Sequence, residues 1–427
     1  MSFKNIEKIK KRFLYNPLQS SKKGVALLMA TTSLILMAYI ASEVTKDSSL
    51  EYVVNSQEIN RIKAYYAARN SLNIALFRIK TYQQVSQMNL PAGFAQEIDQ
   101  IWKFPFAWPL PVPKTASTND KDDNEEKSKE ALFTGQYDHM ILDEGSKIDL
   151  NDLNSASEAL RQTTTAQLLN IFAQHLESND EFRNLYQNYN FTELINRITD
   201  WMTDNPDNLS KNGGDKRSAY QNLGEGYPPN RGFRTIDELR LVPGMSEEFF
   251  NLLLPQITIY GMKAINPNLA SAKVLKSLDK NMTDEAIKNA LERRDEPEKG
   301  GPFKGAKSDE CRNDFKAYIE TFGVRLEPDF EKIPFVCDKV INFRIQAVGR
   351  SGSGKGAIQK KIIAIVLDVQ KSGAKIKSYV DKEKEKNNPN PQGAGSGANP
   401  NPGPKSDSER KDPLPKGRPR IVYWNEI

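Results

Sequence analysis

Few side chains in this chain could carry out chemistry, and their spacing argues against catalysis. Two histidines, His139 and His175, and two cysteines, Cys311 and Cys337, are spread over 427 residues. Four such residues so far apart make no zinc site, and neither histidine stands in a triad-like motif. Gly349 to Gly356 reads Gly-Arg-Ser-Gly-Ser-Gly-Lys-Gly, one residue short of a phosphate-binding loop. Such a loop needs a hydroxyl after its lysine to hold magnesium, and a helix behind it. Here Gly356 takes the hydroxyl's place and β-branched residues follow, so a hairpin turn is predicted. Asp200, Asp204, Asp207 and Asp215 fall in one polar loop that also carries Gly213 and Gly214. Calcium takes about six to eight oxygens from loops of this kind. One or two structural calcium ions are therefore expected, against the competing reading of a solvated acidic loop.

The N-terminus decides where these residues work. No charged residue lies between Lys23 and Glu43, and Val25-Ala26-Leu27-Leu28-Met29 and Leu34-Ile35-Leu36-Met37 are its apolar runs. Gly24 to Ser42 would span roughly 28 Å as a helix, close to the hydrocarbon thickness of a bilayer. Lys4, Lys8, Lys10, Lys11, Arg12, Lys22 and Lys23 precede it and predict a cytoplasmic N-terminus, with the bulk of the chain outside the inner membrane. Tyr39-Ile40-Ala41 lacks the small residues of a secretory cleavage site, so the span reads as a retained anchor. No proline interrupts the chain from Pro17 to Pro91. Ile62, Tyr65, Ala68, Leu72, Ala75, Leu76 and Ile79 make one apolar stripe at helical spacing. Cys311 and Cys337 fall in the outer segment, where oxidation is permitted, and are predicted to pair.

Several short runs recur in a telling order. Lys22-Lys23-Gly24 abuts Val25-Ala26-Leu27-Leu28, and Tyr66-Ala67-Ala68-Arg69 lies in the helix beyond. Asp143-Glu144-Gly145-Ser146-Lys147-Ile148-Asp149-Leu150-Asn151, Asp200-Trp201, Tyr227-Pro228-Pro229-Asn230-Arg231, Asp237 to Met245, and Ile265-Asn266-Pro267-Asn268-Leu269-Ala270 follow. Together, over roughly residues 20 to 370, they resemble the type IV pilin-like proteins, and specifically the K-type minor pseudopilins of type II secretion systems. That resemblance implies a leader cut between Gly24 and Val25 by a prepilin peptidase, methylation, and a retained helix in which Val25, Met29, Tyr66 and Arg69 serve assembly. It implies I- and J-type minor pseudopilins and the major pseudopilin as partners, and a role at the tip of a periplasmic pseudopilus for protein export. Most pilins carry glutamate where Met29 stands, and the K-type subunit is the one that lacks it. The resemblance also implies a calcium loop ending Gly-Ala-Glu-Asp. Here Gly213-Gly214-Asp215-Lys216 replaces that ending, at the cost of a carboxylate.

The predicted fold is α+β: a long N-terminal helix, a pilin-like α/β domain with an antiparallel sheet, and a large inserted all-α domain. The expected order is a leader at 1–24, a membrane span at 25–42 and an amphipathic helix at 43–85. A loop-rich start of the pilin-like domain at 86–148 and the inserted helical domain at 149–290 come next. The sheet follows at 300–370, then a disordered low-complexity tail at 371–420 and a final strand at 421–427. Charge excludes a dedicated nucleic-acid binder, since 60 basic residues face 55 acidic ones for a net +5. One alternative concerns Leu239 to Met245, which resembles a helix-hairpin-helix turn and could meet a phosphate. A membrane-tethered DNA-binding module of a DNA-uptake system would use it so. Asp237, Glu238, Glu247 and Glu248 surround Arg240 and oppose phosphate, so packing by Leu239, Leu241 and Val242 is preferred and no nucleic acid is expected.

Overall fold

A computed structural model describes residues 17–86, 95–109, 135–204, 216–305, 307–337, 342–352, 357–387 and 419–427. Helix α1, Pro17–Val85, runs unbroken for 69 residues, about 100 Å at the α-helical rise. From Gly24 to Lys63 it is largely exposed, including Val25, Met29, Leu36, Val53 and Ile59. Its second half buries Ala64, Ala67, Ala68, Leu72, Ala75, Leu76 and Ile79. The predicted stripe is thus the buried face, save Ile62 at its start, which is exposed.

That face lies on a five-stranded antiparallel sheet of order β1-β2-β5-β6-β7. The strands are β1 (Phe106–Trp108), β2 (Gln136–Asp143), β5 (Phe343–Ser351), β6 (Ile358–Val366) and β7 (Ile421–Glu426). Along β5 every second residue is buried, beginning with Phe343, Ile345 and Ala347. This is the alternation of a strand packed on one face. Phe343, Tyr82 and Trp102 meet edge to face beneath the helix, with centroids 5.5 to 6.3 Å apart. The β5–β6 hairpin stands where the false phosphate loop lies: Gly349 belongs to β5, and 353–356 fall outside the described residues.

The helical domain is inserted between β2 and β5. It contains α3 (Glu158–Ser178), α4 (Asp180–Tyr186), α5 (Phe191–Met202), α6 (Glu247–Leu253), α7 (Ala272–Lys276), α8 (Asp284–Asp295) and α9 (Ser308–Glu320). Side chains at the start of most of these helices satisfy their free N–H groups. Ser157 accepts from Leu160 N, Asn190 from Glu193 N, Ser246 from Phe249 N and Thr283 from Ala286 N. The domain is not wholly helical, because β3 (Ile148–Asp149) and β4 (Ile257–Thr258) form a short parallel pair.

Three boundaries differ from expectation. The helical domain does not end near 290. Phe303, Phe315, Ile319, Phe330 and Phe335 share one core with Phe172 and Leu194, so residues up to Cys337 belong to it and not to the sheet. The stretch 86–148 is less loop-like than its prolines suggest, since it supplies α2 (Ala95–Lys103), β1 and β2. The tail does not begin at 371: Val369–Asn387 form helix α10. Its lysines and glutamates are good helix formers, and a polar helix held by contacts elsewhere needs little apolar content.

Candidate functional site

Of the two histidines, the one on the sheet is tied into the fold by its neighbours. His139, on β2, is buried and stacks on Phe106 at 5.2 Å. Arg78 of α1 donates through Nη1 to His139 Nε2 at 2.9 Å, which leaves Nδ1 to donate to Ser71 Oγ at 3.1 Å. Arg78 also donates to the carbonyls of Ile101, at 2.8 Å, and Phe104. Burial first, and then the Arg78 charge, push the His139 pKa down to about 4. A neutral imidazole so enclosed binds α1, α2 and the first two strands together. It is a structural post, not a base.

An exposed apolar surface runs along the N-terminal part of α1. Gly24 and Val25 lie within its continuous helical backbone, and Met29 is exposed among apolar neighbours. From Gly24 the helix is long and apolar enough to cross a membrane, and none of its most apolar stretch is buried. Tyr66 and Arg69 are exposed, facing away from the sheet that buries Ala67 and Ala68. Ala64, Ala67 and Ala68 are small where the helix crosses β5. A Cβ on Gly349 would stand 2.1 Å from Ala64 O and 2.3 Å from Ala68 N. Helix and strand thus touch backbone to backbone, and the pilin-like domain holds its spine rigidly.

The joint between sheet and helical domain is made by the run Asp143 to Asn151. Glu144 is buried and accepts from Arg344 Nε and Nη2, both at 2.8 Å, from Thr258 Oγ1 at 2.7 Å, and pairs with Lys147. Burial alone would raise its pKa, but the Arg344 hydrogen bonds and the nearby cations outweigh that and hold it below the ordinary value. Asp149 accepts from Gly261 N at 3.0 Å and pairs with Lys263, which also reaches Asp152 at 2.7 Å. Burial works against the Lys263 ammonium, yet these carboxylates keep its pKa above the usual lysine range. Asn151 accepts from Phe233 N at 2.7 Å, and Phe233 stacks on Trp201 at 5.7 Å. Asn268 accepts from Phe303 N and donates to the carbonyls of Phe303 and Cys337. Cys311 and Cys337 are joined in a disulfide with Cα atoms 5.6 Å apart. Of the motifs picked out by order in the sequence, Asp143–Asn151 makes this joint, while Asp200–Trp201 and Ile265–Ala270 tie the helical domain internally.

The metal expectation fares differently. Asp200 is buried at the end of α5, and Asp207 and Asp215 lie outside the described residues. Lys216 is also buried, and its ammonium donates to the carbonyl oxygens of Asp200, at 3.3 Å, and of Thr203. A cation at the carbonyl end of a helix is favourable. A divalent ion on these same two oxygens would face that ammonium at close range, while Asp204 is exposed and the other two carboxylates named for the site lie outside the described residues. Among the described residues no group of three or more His, Cys, Asp or Glu side chains could hold a metal.

The Leu239–Met245 turn is packed rather than presented. Gly244 takes φ +88°, and a Cβ there would meet Arg197 Nη1 at 2.8 Å. Arg197 donates to Pro243 O and Tyr189 OH to Gly244 O. Leu239 and Val242 are buried, but Leu241, predicted to point inward, is exposed. Nothing in this arrangement favours DNA binding.

Residues 146–262 match the family model described as type II secretion system (T2SS), protein K. No curated protein matches the chain in sequence. Five chains of solved structures match. One belongs to the crystal structure of the GspK-GspI-GspJ complex from the enterotoxigenic Escherichia coli type 2 secretion system. It is 15% identical with a TM-score of 0.48, over 75% of this chain and 95% of that one. The matched residues belong to the domain between the second and third sheet strands, behind a long apolar helix, and over them the chain is similar to protein K of type II secretion systems.

Proposed function

We propose that this chain is a K-type minor pseudopilin of type II secretion and stands at the tip of the pseudopilus, where it starts and caps assembly for protein export across the outer membrane. One observation carries the reading: a helical domain of nearly two hundred residues is seated rigidly on a pilin-like sheet. Such a head is difficult to repeat along a tightly wound shaft and easy to place once at its end. Met29 supports the same position. A carboxylate in apolar surroundings is costly unless paired, and a subunit with no neighbour above it has no amine to offer one. The partners are I- and J-type minor pseudopilins, with the major pseudopilin below. The chain acts by assembly and not by turnover. The N-terminus is cytoplasmic and the bulk periplasmic, with α1 held in the inner membrane and cut by a prepilin peptidase between Gly24 and Val25.

The full chain, co-expressed with I- and J-type minor pseudopilins and purified in detergent, should elute as a discrete complex with one copy of each by light scattering. N-terminal sequencing of the mature chain should begin Val-Ala-Leu-Leu. Long homopolymers of this chain, or no association with pilin-like partners, would overturn the proposal.

A further inference from the structure

Antiparallel neighbours such as β6 and β7 need only a few connecting residues, yet Val366 and Ile421 are separated by more than fifty. The first part of that connection is α10, and its contacts run to the helical domain. Glu383 of α10 places both carboxylate oxygens on the first turn of α3. Ser157 Oγ donates to Oε1 at 2.6 Å, Ala159 N to Oε1 at 3.0 Å, and Glu158 N to Oε2 at 3.0 Å. The free N–H groups and positive dipole end of the 21-residue α3 favour an anion at this point. Burial opposes the Glu383 charge, but these donors outweigh it and hold the pKa below the usual glutamate range.

A second set of contacts lies on the same face of α10. Tyr379 is one turn before Glu383, and its hydroxyl is pushed up by burial first and then by the charge of Asp152 in the helical domain. Ser372 is buried two turns earlier. Ser372, Ile376, Tyr379 and Glu383 recur every three or four residues and so share one side of the helix. Lys377, Lys384 and Glu385, on its other sides, are exposed. A cleft of about 310 Å³, lined by Arg312, Glu331, Lys332, Tyr379, Lys382 and Glu383, separates the outer part of α10 from the domain. Contact along α10 is thus partial, and the Glu383 carboxylate is its strongest point.

We infer that α10 is a releasable strap that ties the helical domain to the β6–β7 side of the sheet, with Glu383 on the α3 N-terminus as its clasp. The domain then has two fixings. The buried Glu144–Arg344 joint is permanent, whereas Glu383 is half-exposed and held by one carboxylate. The orientation of the head is thus held at two points, one permanent and one able to open.

Amide hydrogen exchange on the full chain in detergent tests this, comparing the native protein with Glu383→Ala, Glu383→Gln and the exposed control Glu385→Ala. The native protein should protect the amides of Glu158 to Leu160 and those of α10 from Ile376 to Glu383. Glu383→Ala should speed exchange in both segments roughly tenfold or more, about what one charge-assisted hydrogen bond is worth. Glu383→Gln should do so less, and Glu385→Ala and the β5–β6 amides should not change. Exchange in native α10 at free-peptide rates would overturn the strap. So would a Glu383→Ala effect confined to α3, which would leave the carboxylate a helix cap and nothing more.

Discussion

Replacing Gly349 by alanine is the most direct mechanical test of how the spine is seated. The new methyl carbon would stand 2.1 Å from Ala64 O, 2.3 Å from Ala68 N and 2.8 Å from the Ala67 Cβ. Carbon contacts are comfortable only from about 3.5 Å, so α1 must rise by roughly an ångström or more. Neither partner has a side chain that can swing aside, because the obstacles are mainly backbone. A rigid helix lifted at Ala64 to Ala68 also lifts from β5 and β6 at Leu72 and Ala75, all of them buried. A radial gap of about 0.5–1 Å forfeits a quarter to a half of each contact well. Overpacking costs about 1–3 kcal/mol and occasionally more, and this geometry places the loss at about 3 kcal/mol or above. Urea unfolding of the full chain in detergent reads it. In variants that keep only one of the four tryptophans, Trp102, buried beneath α1, reports on the sheet, and Trp201, buried in the helical domain, reports on the insert. The Trp102 transition should move to lower urea while the Trp201 transition holds its midpoint. A Gly349→Ala protein within about 0.5 kcal/mol of the native one would refute the close seating.

Three further outcomes are expected. The Cys311–Cys337 bridge closes a loop at a sequence separation of 26, so a Cys311→Ala/Cys337→Ala chain should lose about 3 kcal/mol, read from the Trp201 transition. Native protein denatured without reductant should take up no alkylating agent; two labelled thiols would contradict this. His139 is held near pKa 4, below its unfolded value of about 6.5. The unfolded chain therefore binds the proton first, and His139 lowers stability as pH falls from about 6.5 towards 4. Between about pH 7 and 4.5 it should remove about 2.5 kcal/mol that His139→Gln does not lose; parallel pH profiles would show the histidine to be solvated. Because Lys216 already occupies the carbonyl oxygens at the end of α5, millimolar calcium and chelator should give the same melting midpoint. Lys216→Met should cost about 1–3 kcal/mol by removing its bonds to those carbonyls, whereas a chelator-sensitive midpoint would show that the loop binds calcium despite Lys216.

What could be read in advance followed from how local each signal is. An uncharged stretch and a stripe at helical spacing act through neighbouring residues, so α1 was legible almost to its ends. The β5–β6 hairpin was legible because β-branched residues flank a glycine-rich turn. Strands β1 and β2 were not. Gln136–Asp143 alternates weakly, with Met140 and Leu142 on the exposed side, and becomes a strand by pairing with β5 two hundred residues later. The end of the helical domain was misplaced for a similar reason. Phe315 and Phe335 look no different in sequence from sheet residues, and only their packing with distant aromatics assigns them. The strap was hidden because Glu383 belongs to a run of lysines and glutamates that reads as a solvated tail. Its partner is a helix start more than two hundred residues away. Lys216 was visible as the loss of a carboxylate, but that its own charge occupies helix-end carbonyls needed the fold.

The proposed function places one copy of this chain at one end of the filament. Pseudopili assembled from the complete set of pseudopilins, with this chain gold-labelled through an exposed residue of the helical domain such as Lys288, can be scored by electron microscopy. The account predicts one label per filament, always at the same end, and no filaments initiated at normal frequency when the chain is omitted. Labels spaced along the shaft, or unchanged initiation without the chain, would contradict it.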